Sequence, residues 1–306
     1  MSHFLQSKAW GEFQQSLGRD IITGSGDGWS YQAYLETGVG NRRLYCPYPI
    51  FENDEKLNEL LVSLRQEAKK LDCTFVRFEF GTKPSKSFLS SHKLRQVTYQ
   101  QLQPNHTQII QLTSSKDDIL AQMSQNSRNI TRNYHNKGIV IQSSNNVKDV
   151  SILTNLLSHV ARRNHISTHP SSYYQTQAQA LFPSKTATLY YATLDTQPIA
   201  AALVVDSDST RYYTHAAADD AYRKLSAGTA LVGQMILDAK NKGLTEFDLY
   251  GIAPSDSPTH PWAGFTKFKQ SFGGSPITYV GTWDLPLKSL KYHAYRQYQS
   301  ISRHLR

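Results

Sequence analysis

The chain has 306 residues, 39% hydrophobic, 11% aromatic and 19% charged, a globular balance with length enough for two ordinary domains. Lys and Arg total 33 against 24 Asp and Glu, and this +9 charge points to a polyanionic partner: nucleic acid, an anionic membrane or a phosphorylated substrate. No apolar run reaches the roughly 18 residues of a bilayer span. Met1–Gln6 lacks the basic and apolar regions of a secretory leader. Cys46 and Cys73 are too few and too far apart for a disulfide scaffold or a zinc site, so a reducing cytoplasm is expected.

In chain order, Trp29–Leu35 and Arg43–Cys46 read as two strands turning through Gly38–Asn41. Leu57, Leu60, Leu61, Leu64, Ala68 and Leu71 then recur at helical spacing, with Glu52, Asp54 and Glu55 at the positive end. Thr74–Phe80 reads as a strand, Gly81–Asn105 mostly as connection and Thr107–Leu112 as a strand. Ser114 or Ser115 caps a helix that starts with Asp117 and Asp118. Ser124–Gly138 reads as a polar, cationic helix. Arg128 and Arg132, at i and i+4, share one face of it, a pair suited to phosphates, and Ile130 turns away.

A second unit is expected to begin near Asn145, with a helix marked by Val150, Leu153, Leu156, Leu157 and Val160. Strands follow at 188–194, 199–206 and 211–217, then a helix bearing Val232, Met235, Ile236 and Ala239, then the strand Glu246–Ile252. The run Lys69–Gly81 echoes Lys240–Gly251, and strand pair, helix, strand occurs twice. Duplication of an α+β unit is expected on that ground.

Three stretches carry candidate chemistry. Arg223–Ala230 resembles the acyl-CoA pyrophosphate loop of GNAT N-acyltransferases, where backbone N–H groups meet an anion at a helix start. Ser226 replaces its first glycine, and a Cβ there obstructs that approach. Gly264–Gly274 follows a loop holding Pro254, Pro258 and Pro261 and sets Lys267 and Lys269 among Phe265, Phe268 and Phe272. A lysine held among aromatic rings is a positioned cation for a developing oxyanion. After Asp284 the chain carries Lys288, Lys291, Arg296, Arg303 and Arg306 with no acid. Tyr292, Tyr295 and Tyr298 are interleaved with these cations, which suit tRNA or membrane phosphates.

Taken together, these blocks resemble the FemABX family of aminoacyl-tRNA-dependent peptidoglycan peptidyltransferases. Trp10–Gln14 is similar to its Trp-x-x-Phe segment, Leu44–Pro49 to its Tyr-x-Pro-Arg-Gly-Pro and Arg77–Glu79 to its Arg-Phe/Ile-Asp-Pro. The helix from Arg128 to Gly138, Asp248–Ile252 and Gly264–Gly274 resemble further family blocks in the same order. The resemblance implies an α+β fold of two tandem GNAT-like domains packed with a cleft between them, without a coiled-coil arm. Domain 1 would span 1–144, completed by the helix 286–306, and domain 2 would span 145–285.

It implies an aminoacyltransferase that moves an amino acid from aminoacyl-tRNA to a primary amine of a peptidoglycan stem peptide. The enzyme would be a cytoplasmic monomer in peripheral contact with the membrane, with aminoacyl-tRNA as co-substrate, no cofactor and no metal. Lys269 matches the family's oxyanion-stabilising lysine, Phe268 shapes the acceptor channel, and Tyr213 and His215 join them as catalytic candidates. Tyr173, His169, Gln14, Glu79, Arg163 and Trp10 are the substrate-binding candidates; Arg128, Arg132 and Lys137 those for tRNA.

Departures from the family pattern carry information. His169 and Gln14 stand where members using UDP-linked precursor have Arg and Lys, and His215 where they have Tyr. Losing two permanent cations weakens a pyrophosphate site, which favours a lipid-linked precursor, or a different amine acceptor, over a UDP-linked one. An acyl-CoA-dependent transferase of polysaccharide biosynthesis and a non-catalytic tRNA- or membrane-binding relative stand as alternatives. With Ser226 in the loop, calorimetric titration with acetyl-CoA is expected to show no saturable binding; saturation would favour the acyl-CoA reading.

Overall fold

The computed structural model describes residues 3–38, 40–98, 100–164, 167–254 and 259–304, with the side chains of 164 and 302–304 left out. In chain order the elements are α1 (Lys8–Ser16), β1 (Ile21–Gly26), β2 (Trp29–Gly38), β3 (Asn41–Pro47), β4 (Ile50–Phe51), α2 (Asp54–Lys70), β5 (Phe75–Phe80), α3 (Lys86–Ser91) and β6 (Arg95–Val97). Then come β7 (His106–Gln111), α4 (Lys116–Gln122), α5 (Gln125–Asn133), β8 (Ile139–Ser144), α6 (Val150–Asn164), α7 (Ser171–Leu181), β9 (Ala187–Leu194), β10 (Gln197–Asp206) and β11 (Thr210–Ala218). They are followed by α8 (Ala227–Asn241), β12 (Glu246–Gly251), α9 (Ala263–Gln270), β13 (Ser275–Thr278), β14 (Gly281–Pro286) and α10 (Ser289–His304).

Two α+β units result. One runs from His106 to Ile277; the other joins the chain up to Asn105 with the chain from Thr278 onward. The expected boundary at 144/145 therefore moves. β7 hydrogen-bonds β12 and β8 hydrogen-bonds β9, so 106–144 belongs with the later strands. At the other end β14 pairs with β5 along its length, which takes 281–285 out of the expected second domain. Hydrophobic periodicity marks strands but not their partners, and the boundary was invisible for that reason.

In the discontinuous unit the sheet order is β1-β2-β3-β5-β14-β6, with β4 on β2. Asn53 caps α2 by accepting from the Lys56 N–H, and Asp54 and Glu55 against Lys69 and Lys70 complement the helix dipole. Leu57, Leu60, Leu61, Leu64 and Ala68 are buried with Val76, Phe78 and Phe80 of β5. Burial of each such large side chain is worth about 1.5–3 kcal/mol. β3 and β5 pair in parallel across this helix. The other face of β5 holds Phe75, on which Tyr292 and Tyr295 of α10 pack with centroids 5.3 and 5.1 Å away. The stretch read as connection contains α3 and β6.

The unit from His106 to Ile277 repeats the pattern: β11, α8 and β12 form a second parallel crossover. Its sheet runs β13-β7-β12-β11-β10-β9-β8. On β10 the residues from Ile199 to Val205 are all buried, and Ala200, Ala202 and Val204 share a core with Val232, Met235, Ile236 and Ala239 of α8. The duplication echo thus corresponds to one topology built twice. The longest helix among the described residues is α2, with 17 residues, so these residues hold no coiled-coil arm.

Each unit buries an arginine completely. Arg77 makes a bidentate pair with Asp284, Nε to Oδ1 at 2.8 Å and Nη2 to Oδ2 at 2.9 Å, and both side chains are fully buried. Gln100 accepts from Arg77 at 2.6 Å, and the Tyr292 hydroxyl donates to Asp284 at 3.0 Å. Arg211 pairs with Asp206 at 2.7 and 2.8 Å and with Asp238 at 2.8 Å. Removing one partner leaves a buried charge without its counter-ion. Asp284→Asn is accordingly expected to lower unfolding free energy by about 3–5 kcal/mol in urea denaturation, and Arg77→Met with Asp284→Leu together to recover most of it.

Candidate active site

The parallel ladder between β11 and β12 pairs Thr210 with Glu246, Arg211 with Phe247 and Tyr212 with Asp248, and goes no further. At the same place the β12–β7 register shifts between Asp248 and Gly251, and Tyr250 sits at φ +64. A non-glycine residue at positive φ bends the strand out of its pleat. The end of β12 is thereby freed from β11, and the Gly251 carbonyl accepts from the Lys269 ammonium at 2.6 Å. α9 is held in place for this contact by Thr266, whose hydroxyl accepts from the Ala253 N–H at 2.8 Å and donates to the Trp262 carbonyl at 2.9 Å. Phe268 packs edge-on against Phe272, 5.2 Å between centroids, at the margin of the α8 core.

The electrostatics follow from burial. Asp248 is buried and accepts from the Thr107 hydroxyl and, at 2.7 Å, from the Tyr250 N–H. Loss of hydration pushes its carboxyl up to about 6 despite these hydrogen bonds and the nearby Lys269 charge. Lys269 is half-buried, and the same desolvation lowers it to about 8, with the Asp248 charge pulling the other way. A lysine poised there is mostly cationic at neutral pH yet able to lose its proton within the working range. Lys267, two residues earlier, is exposed.

A second group assembles on α7 and β11. The imidazole of His169 stacks on Tyr173 at 4.0 Å, and Tyr174 meets His215 edge-on at 5.1 Å. His169 and Tyr173 each lie 6.4 Å from His215. Burial lowers His215 to about 4, with a smaller contribution from His169, so its ring is neutral at physiological pH. Tyr213 is not part of this group. The β10–β11 register slips between Leu203 and Val204, and the Thr214 hydroxyl donates to the Leu203 carbonyl at 2.9 Å. This bulge pairs His215 with Leu203 but Tyr213 with Val204, so Tyr213 turns to the α8 core, where burial raises its hydroxyl above the ordinary phenol range. Uninterrupted strand alternation would put Tyr213 and His215 on one face.

The remaining candidates are engaged locally. Trp10 is buried with Phe4 and Phe13, and Gln14, also buried, accepts from Arg19 at 2.6 Å. Glu79 is buried and accepts from the Thr282 hydroxyl at 2.9 and 3.0 Å; desolvation pushes it up to about 7. Arg163 pairs with Asp220 at 3.1 Å. On α5, Ile130 is buried while Arg132 lies half in solvent, 3.6 Å from Asp117. Arg128 donates to the Ala121 carbonyl at 3.2 Å, and Lys137 to the Leu225 carbonyl at 3.2 Å. Ser226 adopts φ +58 at the start of α8, a conformation glycine takes more readily. Pro258 and Arg306 lie outside the described residues, as does the side chain of Arg303. No group of three or more His, Cys, Asp or Glu among the described residues is arranged to hold a metal ion.

A model of the FemAB family matches residues 86–198 and 194–300, more than half of the chain. The chain belongs to the FemAB family. Aminoacyltransferase FemA of Staphylococcus epidermidis is 26% identical over 106 residues, covering 35% of this chain and 25% of that protein. The match thus spans a quarter of that relative's length. The crystal structure of FemX superposes with a TM-score of 0.86 at 16% identity, over 96% of this chain and 94% of that one. A tandem GNAT protein from the clavulanic acid biosynthesis pathway gives 0.53 at 13% identity, over 88% and 83%. Likeness at these identities shows the fold, a tandem pair of GNAT-like α+β units.

Within this FemAB-family chain, sequence reasoning proposed Lys269 as a candidate but left Asp248 as one letter of a motif and did not single out Thr107. Only the β7–β12 pairing sets Thr107 against Asp248, and no local pattern announces it. Asp248→Asn retains a carbonyl oxygen for Thr107 and the Tyr250 N–H while removing the charge that supports the ammonium. Its expected effect is a further fall in the Lys269 pKa, read by ¹³C NMR titration of the lysine Cε; an unchanged value would show that Asp248 does not act on Lys269.

Proposed function

We propose that this protein transfers an aminoacyl group from aminoacyl-tRNA to a primary amine of a peptidoglycan-precursor stem peptide, with the lipid-linked precursor as acceptor. The observation that carries this reading is the Lys269 ammonium, oriented by the Gly251 carbonyl where β12 parts from β11. The amine nitrogen attacks the ester carbonyl carbon, the carbonyl oxygen gathers negative charge, and Lys269 stabilises it. Collapse breaks the carbon–oxygen bond to the terminal ribose, whose oxygen takes the proton that the amine gives up. An ester is already activated, so positioning and oxyanion stabilisation supply most of the catalysis.

Phe268 lines the acceptor side, and Tyr173, His169 and His215 form its aromatic flank. That flank supports the lipid-linked choice, because a ring titrating near 4 supplies no cation for a nucleotide pyrophosphate. The exposed Arg132 and Lys137, with the half-buried Arg128, offer a cationic surface for the tRNA backbone. In this reading the co-substrate brings the activated ester and no further cofactor is needed. A monomer works at the inner face of the membrane. No helix among the described residues is long and apolar enough to cross it.

Incubation with a pool of charged tRNAs and either precursor, followed by mass spectrometry, is expected to show an aminoacyl mass added to the lipid-linked one. Lys269→Ala should lower the transfer rate about 100- to 1000-fold, the usual cost of losing an oxyanion donor. Since the Lys269 pKa is lowered to about 8, its contribution is present below that pH and fades as pH rises through it. Lys269→Arg should hold its rate above pH 8, because guanidinium stays protonated there. Normal turnover by Lys269→Ala would sink the mechanism.

A further inference from the structure

α10 has two apolar sides. Tyr292 and Tyr295 are buried on Phe75. On the opposite side Leu290, Ala294, Tyr298 and Ile301 recur at i, i+4, i+8 and i+11, which aligns them along one stripe of a helix. This stripe is in solvent: Leu290 is 89% exposed, Ile301 62% and Tyr298 54%. Single exposed apolar residues are ordinary, but four in register along one helix mark a contact surface.

The charge around the stripe says what it meets. Lys291 is exposed beside it, Lys288 pairs with the Asp72 carboxylate, Arg296 donates to the Tyr292 hydroxyl at 3.2 Å, and the sequence from Leu285 onward contains no acid. Beside the helix lies a cavity of about 720 Å³ whose lining includes Arg19, Arg42, Arg43, Tyr295 and Tyr298 together with the acids Asp20 and Glu36. Arg43 is tied to Glu36 at 2.7 Å and to the Tyr295 hydroxyl at 3.2 Å, while Arg42 is exposed. Tyr298 belongs to both the stripe and the cavity wall, so apolar and cationic surface are continuous.

We propose that α10 is a membrane-docking surface that lies in the plane of an anionic bilayer. Leu290, Ala294 and Ile301 enter the boundary between headgroups and acyl chains, Tyr298 sits at headgroup depth, and Lys291 and Arg42 meet lipid phosphates. A nucleic acid would use the cations but has no use for an exposed leucine and isoleucine. The proposal goes beyond the transfer reaction and does not depend on it, since it rests on surface chemistry in a helix that contains none of the candidate catalytic residues.

Sedimentation of the full chain with vesicles tests it. Binding is expected to vesicles of equimolar phosphatidylcholine and phosphatidylglycerol, not to phosphatidylcholine alone, and to weaken with added salt. Leu290→Glu with Ile301→Glu should reduce partitioning at least about tenfold with an unchanged thermal midpoint, and Lys291→Ala roughly fivefold. Equal binding to both vesicle types, or wild-type binding by the double glutamate variant, would overturn the proposal. So would a double variant that loses tRNA affinity while the wild type ignores vesicles. Aminoacyl transfer to a water-soluble acceptor is read separately, so failure of docking and failure of the proposed reaction are distinguishable.

Discussion

The seat of Lys269 in the unit from His106 to Ile277 depends on where one parallel ladder stops. β11 and β12 share hydrogen bonds through Tyr212 and Asp248, and beyond that pair a left-handed Tyr250 and a register shift toward β7 carry the end of β12 away. Backbone groups released from a sheet need other partners, and the Gly251 carbonyl finds one in Lys269. The lysine in turn tolerates partial burial because that carbonyl and the Asp248 charge offset part of its lost hydration. If the ladder continued, the carbonyl would be committed to the sheet and the ammonium would lose its seat.

The other buried cations make a contrast. Arg77 and Arg211 are fully buried, each held by charge-assisted bonds to carboxylates. Guanidinium keeps its proton under any physiological condition, and a forked pair fixes both partners, so these sites are permanent struts. Lys269 donates to the Gly251 carbonyl and neighbours a carboxylate itself displaced upward by burial. Incomplete compensation leaves an ammonium close to its titration range, which suits chemistry better than support. Hydrogen-bonding type and degree of pairing, rather than burial alone, separate the two roles.

The excess of positive charge is distributed accordingly. The group formed by His169, Tyr173, Tyr174 and His215 holds the neutral imidazole of His215 and two phenols, while Arg132 and Lys291 of α10 face solvent. Among the described buried charges the two arginines are ion-paired, Arg77 with Asp284 and Arg211 with Asp206 and Asp238, whereas Glu79 and Asp248 accept from hydroxyl and N–H donors.

Elements whose signal is local were legible in the residue order. Leucines at helical spacing marked α2, serine and aspartate marked the start of α4, and the strand runs of both crossovers stood out, as did a lysine set among phenylalanines. Each depends on neighbours a few residues away, and local sterics and side-chain periodicity act over that range. Three things depended on contacts between distant residues. The boundary fell at 105/106 because β7 and β8 pair with later strands; Thr107 reached Asp248 across 141 positions; and a bulge at Thr214 sent Tyr213 and His215 to opposite faces of the sheet. Strand pairing is chosen by the packing of whole faces, and one extra residue in a ladder reverses every side chain beyond it. Such outcomes are absent from any short window of sequence and exist only once the sheet has closed around them.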